Sequence, residues 1–170
     1  MNMKTKLQTL LLLFLITITA NAQQESTYWD NLKDRESTLG IEEGFTEVKT
    51  DEFTLKLVNA SQTVAGLYPN SDPDFDFTPG ERIEIRDKDG IYYIGDLNFR
   101  IKGEDGEWKS FSTAKHRKKV EALAVSGNVL AAADLSNTLG EENPLSIKRY
   151  YEKKDGGLVL RFEIKNPTSK

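Results

Sequence analysis

The sequence predicts an all-β protein, an antiparallel β-sandwich or barrel, and three observations carry that prediction. Apolar and polar residues alternate with period 2 in several runs. The clearest spans 158–165, where Leu158, Leu160, Phe162 and Ile164 alternate with Val159, Arg161 and Glu163. Clusters rich in Gly, Asp and Asn separate these runs at close spacing, as turns do. The runs also leave no room for the crossover helices that parallel βαβ units need. The sandwich reads as incomplete, because the chain stops at Asn166-Pro167-Thr168-Ser169-Lys170 directly after its strongest strand and would leave an edge uncovered.

Residues 1–22 read as a secretory leader that lies outside the fold. Lys4 and Lys6 make a basic start, Leu10 to Ile18 is apolar except for Thr17, and Ala20-Asn21-Ala22 is a small-x-small cleavage site. The apolar run is too short for a bilayer, which takes about 20 residues, and no later run approaches that length. The expected location is therefore secreted or periplasmic. Cleavage leaves one domain's worth of chain, large enough to bury a core without staples. It has to be, because there is no cysteine, which excludes disulfides, thiolate metal sites and cysteine nucleophiles. Losing Lys4 and Lys6 takes the net charge from −4 to −6. An acidic exported domain is a poor fit to nucleic acid, which demands a cationic face.

Residues 23–44 form a linker or a short helix. Ser26 can cap an amphipathic turn carrying Tyr28, Trp29 and Leu32, and Gly40 or Gly44 ends it at the latest. The sandwich is expected over 45–170. Its first clear strand is 52–58, with Phe53, Leu55 and Leu57 on one face, followed by a shorter candidate at 63–67. Residues 68–80, YPNSDPDFDFTPG, are a loop because three prolines exclude a regular ladder. A four-strand meander is predicted over 82–111. Its runs are 82–86, 91–94, 97–102 and 107–111, with reversals at Asp87-Lys88-Asp89-Gly90 and Gly103-Glu104-Asp105-Gly106. Residues 120–125 and 129–133 then flank Ser126-Gly127-Asn128, and 145–152 and 158–165 flank 153–157.

Candidate functional residues are few. Trp108, Tyr92, Tyr93 and Tyr68 are candidates for a platform on which sugar rings stack, Trp108 and Tyr92 foremost. Aromatics on strands are more often core, but Tyr92 and Tyr93 must point to opposite faces and only one can join a one-sided core. Asp96 follows Gly95 between two predicted strands, where a bulge would aim its carboxylate, although an aspartate capping a turn is the commoner pattern. Asp72, Asp74 and Asp76 alternate as in a calcium loop. However, Phe77 stands where the sharp turn needs glycine and Ile83 where a bidentate glutamate belongs, so no metal is assigned. The bland reading has Phe75 and Phe77 plugging the sandwich. His116 lies in the basic run Lys115-His116-Arg117-Lys118-Lys119, which reads as a solvated connection, with a weak site for sulfated or uronic glycans as the alternative. No phosphate-binding glycine loop or zinc spacing is present, so no cofactor is expected.

Several segments together resemble a known family: 53–64 (FTLKLVNASQTV), 74–80 (DFDFTPG), 93–100 (YIGDLNFR), 108–117 (WKSFSTAKHR), 131–139 (AAADLSNTL), 144–151 (PLSIKRYY) and 158–166 (LVLRFEIKN). The resemblance is to the N-terminal β-sandwich of large secreted six-hairpin, or (α/α)-barrel, glycosidase-like proteins, in a family of uncharacterised function. It implies an antiparallel β-sandwich of the supersandwich type, in a glycan-processing context in which catalytic carboxylates sit on a helical barrel, so no catalytic residue carries over to this chain. The expected function is a secreted, non-catalytic sandwich whose partners are a polysaccharide or a separate catalytic domain. The alternatives are a module that pairs through its edge strands and a small glycan hydrolase using Asp96.

Overall fold

A computed structural model describes residues 37–78, 83 and 93–167. The chain divides into Met1–Glu36 and a compact unit, Ser37–Lys170, to which every described residue belongs. The expected leader, the helix or tether carrying Trp29, and most of the first half of the predicted meander, Tyr92 included, lie outside the described residues.

Nine strands are formed among the described residues, and every pairing is antiparallel. β1 (Phe45–Lys49), β2 (Phe53–Val58) and β3 (Val64–Pro69) make one sheet, and β4 (Asn98–Lys102) and β5 (Trp108–Ser112) make a hairpin. β6 (Glu121–Ala122), β7 (Val129–Asp134), β8 (Ser146–Lys154) and β9 (Gly157–Lys165) make a four-stranded sheet in that order. The all-β expectation holds, and short 3-10 turns supply the described helical structure apart from the single position Ile83.

Side-chain parity explains how the layers meet. On β8, Ile147, Arg149 and Tyr151 alternate into the interior, and their partners Ile164, Phe162 and Leu160 put the β9 side chains on the same face. Tyr151, Leu158 and Leu160 pack against Leu55, Leu57 and Val64 of the three-stranded sheet. Farther along the same face, Ile147 and Phe162 pack with Leu97 and Phe99 at the β4–β5 hairpin. One sheet is thus covered by two pieces, and Arg149 sits at the seam between them. A third cluster, Leu39, Val58, Ala65 and Ile83, fills the far side of β2 and β3. Each fully buried aliphatic side chain in these clusters stabilises by roughly 1.5–3 kcal/mol.

Two turns lock the outer ends of the layers together. Asp155 (φ 52°) and Gly156 (φ 86°) form the two-residue connection of β8 and β9, the left-handed pair that a twisted hairpin favours. The Gly156 carbonyl then accepts from Asp51 N and Glu52 N at 3.1 and 3.2 Å, which ties that hairpin to the β1–β2 turn.

Four expectations need correction. Ile83 is buried but helical, and Ile94 lies in a turn, so the predicted runs at 82–86 and 91–94 are not strands at these positions. The described part of the meander is the β4–β5 hairpin alone. The run at 120–125 contracts to a two-residue strand, β6. Phe75 and Phe77 do not plug the sandwich: both are exposed and stack edge-on with each other at 4.9 Å. What pins their loop is Asp76, whose Oδ1 accepts from Leu67 N, Thr78 N and Thr78 Oγ1 at 2.8–3.0 Å.

Candidate functional site

The segment 93–97 is a tight reversal that only glycine permits. Gly95 has φ +97°, and a β-carbon there would collide with the Tyr151 hydroxyl and press on Arg149. The reversal closes on Asp96, whose backbone N–H donates to Tyr93 O at 3.0 Å while its Oδ2 accepts from Tyr93 N at 2.9 Å. Asp96 Oδ1 accepts from Thr113 Oγ1 at 3.1 Å. Arg117 completes the shell, donating from Nε to Oδ1 and Oδ2 at 3.2 and 2.9 Å and from Nη2 to Oδ2 at 2.7 Å. Both side chains of this ion pair are 2% exposed. Arg117 also donates from Nη1 to Thr38 Oγ1 at 2.8 Å and lies over the Tyr93 ring at 5.2 Å. One guanidinium therefore joins three distant segments, at 38, 93–97 and 113–117.

Arg149 makes a second enclosed cationic clamp beside the first. Nη1 donates to Gly95 O at 3.0 Å, and Nη2 donates to Ser61 O and Gln62 O at 2.8 and 3.0 Å. The Gln62 carbonyl, set by a left-handed backbone (φ 50°), also accepts from the Tyr151 hydroxyl at 3.2 Å. Burial pushes the Tyr151 phenol above its ordinary 10.0, with Arg149 pulling it back and Asp96 adding to the rise. The two clamps hold the covering pieces against the four-stranded sheet. The hydrogen bonds of both guanidinium groups run inward, to Asp96, Thr38 and the carbonyls of Ser61, Gln62 and Gly95, while Arg149 Nε is buried without a partner among the described residues. The pattern is a structural one.

The outward face of the β4–β5 hairpin has the opposite character. Asn98, Arg100 and Lys102 face Ser112, Ser110 and Trp108 across the ladder, and the inward parity belongs to Phe99 and Phe111, whose rings stack at 5.5 Å. Trp108 is 58% exposed, with the Arg100 guanidinium 5.4 Å above its ring. Beyond the end of the strands, two 3-10 turns, Thr113–Lys115 and Arg117–Lys119, carry the basic run. Ser110, Lys115, His116 and Leu139 are among the residues lining a cleft of about 320 Å³ there, next to this face. A second cleft of about 380 Å³, lined by Ile101, Lys109, Phe111 and Glu142 among others, opens on the other side of the hairpin.

Of the three leading candidates for sugar contact, the structure presents Trp108 to solvent and encloses Asp96. The Asp96 assignment is corrected on that ground: a carboxylate sealed against Arg117 cannot reach a surface ligand. Tyr92 lies outside the described residues. Among those residues, no group of three acids or histidines is gathered as for a metal. No described helix is long and apolar enough to cross a membrane.

The profile of a family of unknown function, DUF5695, matches residues 56–170. The chain belongs to that family. No curated protein and no solved structure matches the chain. The matched region takes in the Trp108 face and both clamps except Thr38, and it covers the sandwich from within β2 onward.

Sequence reasoning missed Arg117 and Arg149. Arg149 carried a usable signal, since it shares inward parity with Ile147 and Tyr151. Arg117 carried none: its inward turn depends on two consecutive 3-10 turns that leave Lys115, His116 and Lys118 exposed.

Proposed function

We propose that this DUF5695 chain is an exported, non-catalytic β-sandwich of a carbohydrate-processing system, meeting its polysaccharide through the Trp108 face of the β4–β5 hairpin. The observation that carries the reading is the placement of Trp108. It is an indole more than half exposed on a regular strand, braced by Arg100 and backed by the Phe99–Phe111 stack. A sugar's C–H face stacks on such a ring, and the neighbouring asparagine and serine side chains can bond its hydroxyls. The leader-like N-terminus supports export, and the resemblance to glycosidase-associated sandwiches supports the context. On that resemblance, the catalytic carboxylates belong to a helical-barrel partner. The hydrolase alternative loses its support with Asp96 committed to Arg117. Affinity electrophoresis through gels containing single polysaccharides tests the reading. At least one polymer should retard the wild-type chain and fail to retard Trp108→Ala. Equal retardation of both would overturn it.

A second reading, pairing with another chain through an edge, is favoured by Ile164. It shares the inward parity of Phe162 yet is 55% exposed, on a strand that pairs only with β8 among the described residues. A concentration-dependent dimer broken by Ile164→Pro would favour that reading.

A further inference from the structure

The Trp108 face is unevenly charged, and the unevenness selects among polysaccharides. Elsewhere on this net-negative chain Lys109, Lys153, Arg161 and Lys165 each stand within 3.4 Å of a carboxylate. The exposed Lys49, Lys118 and Lys154 have none among the described residues, so it is the clustering of cations on the Trp108 side that sets this face apart. Lys109 is the informative case, because it lies on β5 between Trp108 and Ser110 but points to the opposite side of the hairpin, toward Glu142. On the Trp108 side, Arg100, Lys102, Lys115 and His116 are exposed, and none of them has a carboxylate partner among the described residues. Arg100 is held over the indole by the ring and not by an acid. The nearby acids, Glu104, Asp105 and Glu107, fall in the turn beyond the Trp108 end. Positive groups thus run from Lys102 and Arg100 to Lys115, which His116 adjoins, with Ser110 and Asn98 between them.

The face is long enough for a chain and not just a single ring. Trp108 to Ser112 spans about 14 Å at strand rise, and the cleft at Lys115 and His116 extends it. Three cations, Arg100, Lys102 and Lys115, along one polar track with an aromatic ring at one end fit a polymer bearing regularly spaced negative charges. A neutral glucan would leave them idle. We infer that the preferred ligand is an acidic polysaccharide, of uronate or sulfate type, laid along β4 and β5 with a sugar ring on Trp108 and its anionic groups at Arg100 and the Lys115–His116 end. This inference rests on the sugar-contact reading above and narrows it to a class.

The test is isothermal titration of the full chain with polygalacturonate, dextran sulfate and a neutral β-glucan. Polygalacturonate or dextran sulfate should bind more tightly than the glucan, the stronger of the two naming the charged group. That affinity should fall as salt rises through the range where exposed charges are screened. Arg100→Glu should weaken it by about tenfold, because it sets like charge against the ligand. Arg161→Glu, on the four-stranded sheet, should leave it unchanged. Binding of the neutral glucan that needs Trp108 but ignores salt and Arg100→Glu would overturn the acidic class while leaving the sugar surface standing. Equal losses in Arg100→Glu and Arg161→Glu would overturn the assigned face, since binding would follow net charge alone. No binding of any of the three polymers would overturn both this inference and the reading beneath it.

Discussion

Removing the Asp96 carboxylate would strand the Arg117 guanidinium in an enclosed site. That stranded charge, more than the lost attraction, sets the penalty. Asp96→Ala is therefore expected to cost about 3–5 kcal/mol in urea unfolding, whereas Trp108→Ala, on an exposed face, should stay within about 0.5 kcal/mol. A comparable loss in both would contradict the division between clamp and contact surface. Tyr151 gives a second test with a definite sign. Its folded phenol holds its proton beyond the ordinary 10.0, chiefly because burial disfavours the phenolate. Below pH 10 folded and unfolded chains both keep that proton, so stability is unaffected. Above it the unfolded chain releases the proton first, and stability falls as pH rises, by at most about 1.4 kcal/mol per pH unit. Tyr151→Phe should flatten that fall in denaturation curves taken on either side of pH 10. Tyr68, raised first by its own partial burial and then by Asp76, leaves part of the slope in place. An unchanged slope would mean the phenol is not sealed.

Among the elements, the β8–β9 hairpin depends on its turn as much as on its ladder. Gly156 combines φ 86° with a carbonyl that bonds the β1–β2 turn, so Gly156→Ala should cost more than about 1 kcal/mol. A silent substitution, measured by thermal melting, would show that the hairpin sets itself. Period-2 alternation made β2, β4, β5, β8 and β9 legible in the sequence, because each buries one face. It misled at two described positions, Ile83, which is helical, and Ile94, which lies in a turn. There tertiary demand prevails: the reversal at Gly95 must deliver Asp96 to Arg117. The candidate site was legible at Trp108, which no core position claimed. It was illegible at Asp96, because the partner that encloses it lies 21 residues on in a run that reads as surface.

The described part of the Ser37–Lys170 unit is a four-stranded sheet covered by two separate pieces, and the seam between them accounts for two buried arginines in a protein without cysteine. Arg149 reaches three carbonyls from two loops, and Arg149→Ala would take that donor from Gly95 O and Ser61 O at about 1–3 kcal/mol each, while Gln62 O keeps the Tyr151 hydroxyl. On the proposed reading, contact with the outside falls to the hairpin's outer face. Tryptophan fluorescence reads that claim most directly, since the chain has two tryptophans and Trp29→Phe leaves Trp108 alone. In that variant, titration with polygalacturonate should shift the emission to shorter wavelength and saturate, as water leaves an indole covered by sugar. Emission that stays unmoved while the polymer demonstrably binds would place the contact elsewhere and contradict the account.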